Sequence, residues 1–196
     1  MMQRFSGDVL AELESDDPQN PKEENEPVVD VGLTKEPYFN VKSQAIEESG
    51  YYHEKGEDGV AVGDGPMHVH LIGYDTLIRL FDTKYYPPEH SLAVLGPFLE
   101  KHRLRVHLRL GEWGEREKQD EWIKRLDAGE GGKKGFLAEK GGKKEWAERL
   151  EIVEPREGEI VSSSRVREEA KKNGELGGLA TESIFEYIEE EKLYRE

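Results

Sequence analysis

Cysteine is absent from the 196-residue sequence, which excludes disulfides and zinc–thiolate sites and is compatible with a reducing compartment. Long apolar runs are absent too, because no window approaches the roughly 20 apolar residues that span a membrane. The first residues also lack the apolar stretch of a secretory signal. We therefore expect a soluble protein of the cytoplasm and/or nucleus that has no membrane partner.

Positive charge is scarce compared with negative charge. The chain has 28 Lys and Arg residues against 43 Asp and Glu residues, which gives a formal net charge of −15. Such a field repels a polyanion, so we expect no nucleic-acid partner. A small phosphorylated ligand remains compatible with it, because a local group of backbone N–H donors and two arginines can override the global sign.

The composition indicates a folded core that carries long polar excursions, with 36% charged residues, 35% hydrophobic residues and 21 glycines. The length fits one domain over residues 1–196. Residues 14–27 are acidic and contain three prolines, which predicts a solvated loop. Residues 111–147 are highly charged and contain Gly-Gly-Lys-Lys at 131–134 and again at 141–144, which predicts a charged Gly/Lys-rich insertion.

The apolar pattern predicts an α/β fold. Continuous or alternating apolar residues predict strands at 28–33, 68–73, 105–110 and 151–153. Helical spacing predicts helices at about 1–15, 38–49, 75–81, 91–102, 163–172 and 181–191. Strands and helices alternate with connections too long for hairpins, which favours a parallel sheet with helices on both faces. In such sheets ligands bind beyond the carboxyl ends of the strands.

A serine–arginine segment is the first candidate site. Ser162, Ser163 and Ser164 stand at the start of a predicted helix, where hydroxyls and free N–H groups can bind an anion. Arg165 and Arg167 lie in the first turn, where positive side chains oppose the helix dipole. A bound anion would explain them. The alternative is a serine cap followed by solvated arginines.

A second candidate site follows the strand at 68–73. Gly73 would let a ligand approach the backbone, and the Asp75 carboxylate could accept hydrogen bonds from ribose hydroxyls. The alternative is a glycine turn with Asp75 as the helix N-cap. Tyr85 and Tyr86 could stack on a heterocycle, or they could form rim packing.

Two histidines share one face of the same predicted strand. His68 and His70 alternate along it and lack a third ligand nearby in the sequence, so we predict no metal site.

Several of these segments resemble nicotinamide mononucleotide adenylyltransferases. Val161-Ser-Ser-Ser-Arg-Val-Arg167 is similar to the family signature I-S-S-T-x-I-R, and the final helix with its Leu193-Tyr194 is similar to the Y-I-x-x-x-x-L-Y that follows. Gly73-Tyr-Asp75 resembles the family's G-x-D, and Arg109-Leu-Gly111 resembles its strand-ending R-x-G. The resemblance covers roughly residues 28–110 and 151–196.

The resemblance implies a Rossmann-like nucleotidyltransferase domain of NAD biosynthesis. The reaction so implied is transfer of AMP from ATP to nicotinamide mononucleotide with release of pyrophosphate, usually with Mg²⁺ bridging phosphate oxygens. It implies that Ser162, Ser163, Ser164, Arg165 and Arg167 hold the ATP phosphates. Five further residues would contact the nucleotides: Gly73, Asp75, Tyr85, Tyr86 and Arg109.

One departure from the family is large. Relatives open with a strand, a Gly-rich turn and H-x-G-H, and none of the six histidines of this chain follows a glycine. The resemblance therefore implies an N-terminally truncated member without its first strand, and we predict no adenylyl transfer by this chain alone. Two alternatives are a non-catalytic nucleotide-binding or interaction module, and a nucleotidyltransferase or ATPase with another substrate. We also expect a marginal, aggregation-prone monomer, while the pattern leaves the native oligomeric state open.

Overall fold

A computed structural model describes residues 1–14, 28–56, 61–109, 113–128, 134–154, 163–172 and 178–194. The chain divides into two compact units. The first, here called the sheet unit, is Thr34–Gly158. The second, called the helical unit, combines Met1–Leu33 with Glu159–Glu196.

The strands form a hairpin and a parallel sheet. β1 (Glu54–Lys55) pairs antiparallel with β2 (Ala61–Val62). β3 (Val69–Gly73), β4 (Arg103–His107) and β5 (Leu150–Val153) form a three-stranded sheet in the order β3-β4-β5, with both pairs parallel. The predicted α/β class and the predicted parallel sheet are therefore confirmed for the described residues.

Helices account for most of the other described residues. In chain order they are α1 (Met2–Glu14), α2 (Phe39–Glu48), α3 (Tyr74–Leu80), α4 (Gly96–Lys101), α5 (Arg116–Lys124), α6 (Phe136–Glu139), α7 (Ser163–Lys171) and α8 (Glu182–Glu190). Shorter 3-10 helices occupy Thr83–Tyr85, Leu92–Leu95 and Lys144–Arg149. None of the helices in the described ranges is both long and apolar enough to cross a bilayer.

The core of the sheet unit lies on one face of the parallel sheet. Ile72, Leu104 and Val106 point into this core, where side chains from α3, α4, α6 and the 3-10 helices pack against them. On the opposite face Val69 is 45% exposed and Leu71 is 68% exposed. The described helices of this unit therefore cover one face, whereas the sequence predicted helices on both. The strand order explains this, because right-handed crossovers that always step in the same direction place their helices on the same side.

The strand predicted at 28–33 is wrong. These residues have no strand structure, and Val28 and Leu33 are 81% and 98% exposed. A run of β-branched residues forms a strand only where it can pair and pack against neighbours, and this run buries little side-chain surface.

The helical unit contains its own small core. Ala170 of α7 and Ile188 of α8 are buried against Val166, Leu179, Ile184 and Leu193. Asp8 of α1 accepts hydrogen bonds from the hydroxyls of Thr181 and Ser183, each at 2.5 Å. The helices predicted at 1–15, 163–172 and 181–191 are thus confirmed as α1, α7 and α8.

The segment at 111–147, predicted as a charged insertion, supplies part of the sheet-unit core. Its described residues include α5 and α6, and Leu126, Leu137 and Trp146 are at most 3% exposed. Gly142 packs against the Trp146 ring, since a Cβ at this position would lie 2.6 Å from a ring carbon. The second Gly-Gly-Lys-Lys therefore includes a glycine that the core requires.

Candidate functional site

The carboxyl edge of the parallel sheet brings together three of the residues that the sequence singled out. Gly73 ends β3, Asp75 lies in the first turn of α3, and Arg109 follows β4 by two residues. The Nε atom of Arg109 lies 3.0 Å from Oδ1 of Asp75. This edge is where ligands bind in parallel α/β sheets, so the predicted neighbourhood of Gly73, Asp75 and Arg109 exists in the fold.

The carboxylate of Asp75 is buried, and only one of its two oxygens takes part in a hydrogen bond. The residue is 7% exposed, and its Oδ2 forms an ion pair with the guanidinium of Arg79, one helical turn away. Arg79 Nε also donates to the Asp75 carbonyl at 3.2 Å. Oδ1 is buried without a hydrogen bond from any described residue, because the nearby Arg109 N–H groups are not directed at it. Buried carboxylate oxygens normally accept hydrogen bonds, so Oδ1 retains unused acceptor capacity beside its ion-pair contact with Arg109.

The N-cap alternative for Asp75 is wrong. Gly73 is the N-cap residue of α3, and no side chain caps this helix. Asp75 lies instead in the first turn, where its charge interacts favourably with the helix dipole.

Gly73 is required by space rather than by backbone conformation. Its φ of −85° is open to any residue. A Cβ at this position would lie 2.6 Å from Asp75 Oδ1 and 2.7 Å from Arg109 Nε. The missing side chain is what allows the carboxylate and the guanidinium to meet beside the strand end.

Gln119 of α5 fixes the Arg109 backbone and was not identified from the sequence. Its Nε2 donates to the carbonyl of Arg109 at 2.5 Å and to that of Gly114 at 3.2 Å, and its Oε1 accepts from the Arg109 N–H at 3.2 Å. The side chain is fully buried. A glutamine in a run of charged helical residues carries no sequence signal of this role, since its partners are backbone groups brought close only by the fold.

The two tyrosines occupy different environments. The Tyr86 ring packs against the core and its hydroxyl donates to the Leu80 carbonyl at 2.7 Å. Burial raises the pKa of Tyr86 to about 12. Tyr85 is 38% exposed and has Lys84 Nζ 4.9 Å from its ring centroid. Tyr85 is therefore the one with a ring face near the surface.

The serine–arginine segment belongs to the helical unit. α7 begins at Ser163, and Arg165 and Arg167 are exposed residues of its first turns. Ser162 lies outside the described residues, as do the side chains of Ser163 and Ser164. The anion-binding role of these residues stays a prediction.

A histidine cluster lies between α2, β3 and the end of α4. His70 Nε2 hydrogen-bonds with Ser43 Oγ at 2.8 Å, and the rings of His68 and His102 stack with centroids 4.4 Å apart. His102 Nδ1 accepts from the His68 N–H at 3.1 Å, while its Nε2 lies 3.3 Å from Glu47 Oε1. The pKa of His70 is lowered to about 4, mainly by burial and also by charge repulsion from His68, His102 and Lys42. The sequence alone did not identify His102 as a neighbour of His68 and His70.

The described residues do not fit a metal ion held by the protein. No three His, Asp or Glu side chains among them are arranged to bind one. Asp75, the carboxylate at the sheet edge, already lies between two guanidinium groups. The described residues therefore offer no site of three protein ligands for the Mg²⁺ that the family resemblance implies.

No protein-family model matches the chain, and no curated protein matches it either. The fold and the site define its class: an α/β protein with a parallel sheet, helices packed on that sheet, and an acid–arginine pair at the sheet's carboxyl edge.

Proposed function

We propose that this protein belongs, by resemblance, to the nicotinamide-nucleotide adenylyltransferase type of Rossmann-like nucleotidyltransferase, and that this chain alone does not complete the transfer because it lacks H-x-G-H. The reaction is transfer of AMP from ATP to nicotinamide mononucleotide, which forms NAD and releases pyrophosphate. The observation that supports the proposal best is the Asp75–Arg109 pair beside Gly73 at the carboxyl edge of the sheet. A carboxylate with unused acceptor capacity next to an exposed guanidinium suits a ligand that carries both ribose hydroxyls and phosphate.

The chemistry of the proposal needs no side-chain nucleophile. The phosphate of the mononucleotide attacks the α-phosphate of ATP, so the protein has to position two phosphates and stabilise negative charge. In the proposal Gly73, Asp75 and Arg109 of the sheet unit contact the nucleotide sugar and phosphate. The family resemblance separately assigns a phosphate-binding role to Arg165 and Arg167, with Ser162 to Ser164. The partly exposed Tyr85 ring is proposed to stack on a heterocycle.

A non-catalytic nucleotide-binding module is the second candidate, and one observation favours it. The 196 residues contain no H-x-G-H, the motif whose histidines contact the phosphates in the family that the chain resembles. Binding without transfer is what a half-site at the sheet edge would give.

Two measurements on the full chain separate these candidates. Calorimetry with ATP, and a coupled assay of NAD formation from ATP and nicotinamide mononucleotide, are run on wild type, Asp75→Asn and Arg167→Ala. NAD formation that Arg167→Ala lowers supports the adenylyltransferase assignment and contradicts the prediction that this chain alone does not transfer AMP. ATP binding that Asp75→Asn weakens, with no NAD formed, supports the module. If wild type binds no ATP and forms no NAD, both candidates are wrong.

A further inference from the structure

Arg109 combines a partly exposed side chain with a backbone that is held in place. Its side chain is 44% exposed, whereas the Asp75 side chain that it meets is 10% exposed. The Arg109 N–H and C=O are both held by the fully buried Gln119. Rotation about side-chain bonds can therefore remove the guanidinium from the sheet edge without disturbing the chain around it.

The Arg109 guanidinium occupies the space that a ligand needs in order to reach Asp75. Nε and Nη2 of Arg109 lie 2.7 and 3.2 Å from the point where a Gly73 Cβ would stand, and Asp75 Oδ1 lies 2.6 Å from the same point. Oδ1 is inaccessible there yet accepts no hydrogen bond from a described residue. A ligand hydroxyl would satisfy this oxygen only after Arg109 has moved away.

We propose that Arg109 is a displaceable cover over Asp75 that makes the site selective for phosphorylated nucleosides. This inference rests on the proposed nucleotide binding and adds a specificity determinant to it. A phosphate draws the guanidinium out of its place by forming bidentate hydrogen bonds with it, and the ribose hydroxyls then donate to Asp75 Oδ1. A nucleoside without phosphate has to displace the same guanidinium but has no anion that can pair with it.

Asp75 keeps its position when Arg109 leaves. Its Oδ2 is paired with Arg79, and Arg79 also donates to the Asp75 carbonyl at 3.2 Å. The carboxylate is therefore oriented by its own helix, independently of β4. For the same reason removal of the Arg109 side chain leaves no buried charge without a partner.

The test compares AMP with adenosine, because the cover model predicts opposite effects on the two ligands. Dissociation constants are measured by calorimetry on the full chain for wild type and Arg109→Ala. We expect Arg109→Ala to bind AMP about tenfold more weakly, because the AMP phosphate loses its guanidinium partner. We expect it to bind adenosine about tenfold more tightly, because no guanidinium then competes with the ribose hydroxyls for Asp75. Arg105→Ala is the matched control on β4, because Arg105 pairs with Glu151 at 2.8 Å on the exposed face. It should leave both constants within about twofold.

A second substitution tests whether the uncovered acceptor is Asp75. In the Arg109→Ala background, Asp75→Asn should abolish the gain in adenosine affinity, because that gain depends on the Oδ1 acceptor. If wild type binds AMP but Arg109→Ala weakens adenosine binding or leaves it unchanged, the cover model is wrong while the proposed function stands. If neither protein binds either ligand, the proposed function is wrong and the cover model with it.

Discussion

At the scale of single residues, the geometry of the site depends on a glycine and a glutamine. Gly73 contributes because the space that it leaves is filled by the Asp75 carboxylate and the Arg109 guanidinium. Gln119 contributes because one buried amide satisfies three backbone groups. Gly73 was identified from the sequence because glycine at a strand end is distinctive. Gln119 was not, because its partners are distant backbone atoms.

Gly73→Ala should weaken nucleotide binding without unfolding the protein. The new Cβ would stand 2.6 Å from Asp75 Oδ1, so the carboxylate and Arg109 would both have to shift. The backbone accepts alanine at φ −85°, so no conformational strain is added. We expect ATP affinity to fall at least about tenfold by calorimetry. Gly32→Ala is the control, because nothing lies within 4 Å of its added Cβ. Equal ATP affinity in wild type and Gly73→Ala would contradict the geometry.

Gln119→Leu should destabilise the fold. The substitution roughly keeps the volume but leaves the N–H and C=O of Arg109 without their partner in a partly buried environment. We expect a loss of roughly 1–3 kcal/mol in the free energy of unfolding, measured with urea. Gln44→Leu removes an exposed contact with Glu48 and should change it by less than about 0.5 kcal/mol. Similar losses for the two variants would show that Gln119 does not act as a backbone clamp.

At the scale of elements, the sequence predicted the secondary-structure type of a segment better than the position of that segment in the fold. The strands at β3, β4 and β5, and the helices between β3 and β4, follow from local periodicity and turn signals. The helices α5 and α6 between β4 and β5 were not predicted, because their highly charged segment was interpreted as an insertion. Residues at strand ends therefore led to Gly73, Asp75 and Arg109. The strand order β3-β4-β5, which places the helices on one face, depends on pairing between distant segments and has no local signature. The packing of His102 against His68 is non-local in the same way.

The histidine cluster at α2, β3 and α4 should make stability depend on pH. The folded pKa of His70 is about 4, below its ordinary value of 6.5, so the unfolded chain binds more protons between these values. Stability from this group is fully present above pH 6.5 and is lost as the pH falls towards 4. For a partly buried group the loss is roughly 1–3 kcal/mol.

Urea unfolding at pH 7 and pH 4.5 measures this dependence. His70→Gln cannot titrate, so its free energy of unfolding should fall less between these two pH values than that of wild type. His107→Gln, on the exposed face of the neighbouring strand, should behave like wild type. If His70→Gln loses as much stability as wild type, the cluster is not the source of the pH dependence.

At the scale of the whole molecule, charge and exposed apolar surface have opposite effects on association. The net charge of −15 keeps copies apart. Val69 and Leu71 on the exposed sheet face, beside the outer edge of β3, favour contact between copies. Parallel sheets are usually covered on both faces, so this face is an unusual feature for the class.

Salt should therefore promote self-association, because it screens the net charge. Light scattering of the wild type is expected to rise between low and about 0.5 M salt, where the screening length falls to a few ångströms. Leu71→Lys should suppress this rise by placing a charge on the exposed face. Val94→Lys adds the same charge at a residue that is 49% exposed elsewhere, and it should not suppress the rise to the same extent. Equal suppression by both variants would indicate a general charge effect instead.

The most direct test of the central claim is a calorimetric titration of the full chain with ATP, beside the same titration of Asp75→Asn. The claim is that the carboxyl edge of the sheet, at Gly73, Asp75 and Arg109, binds a nucleotide. We predict saturable binding to the wild type, weakened at least about tenfold in Asp75→Asn because the amide loses the charge and one acceptor. Absence of binding to the wild type, or equal affinity in the two proteins, would contradict the claim.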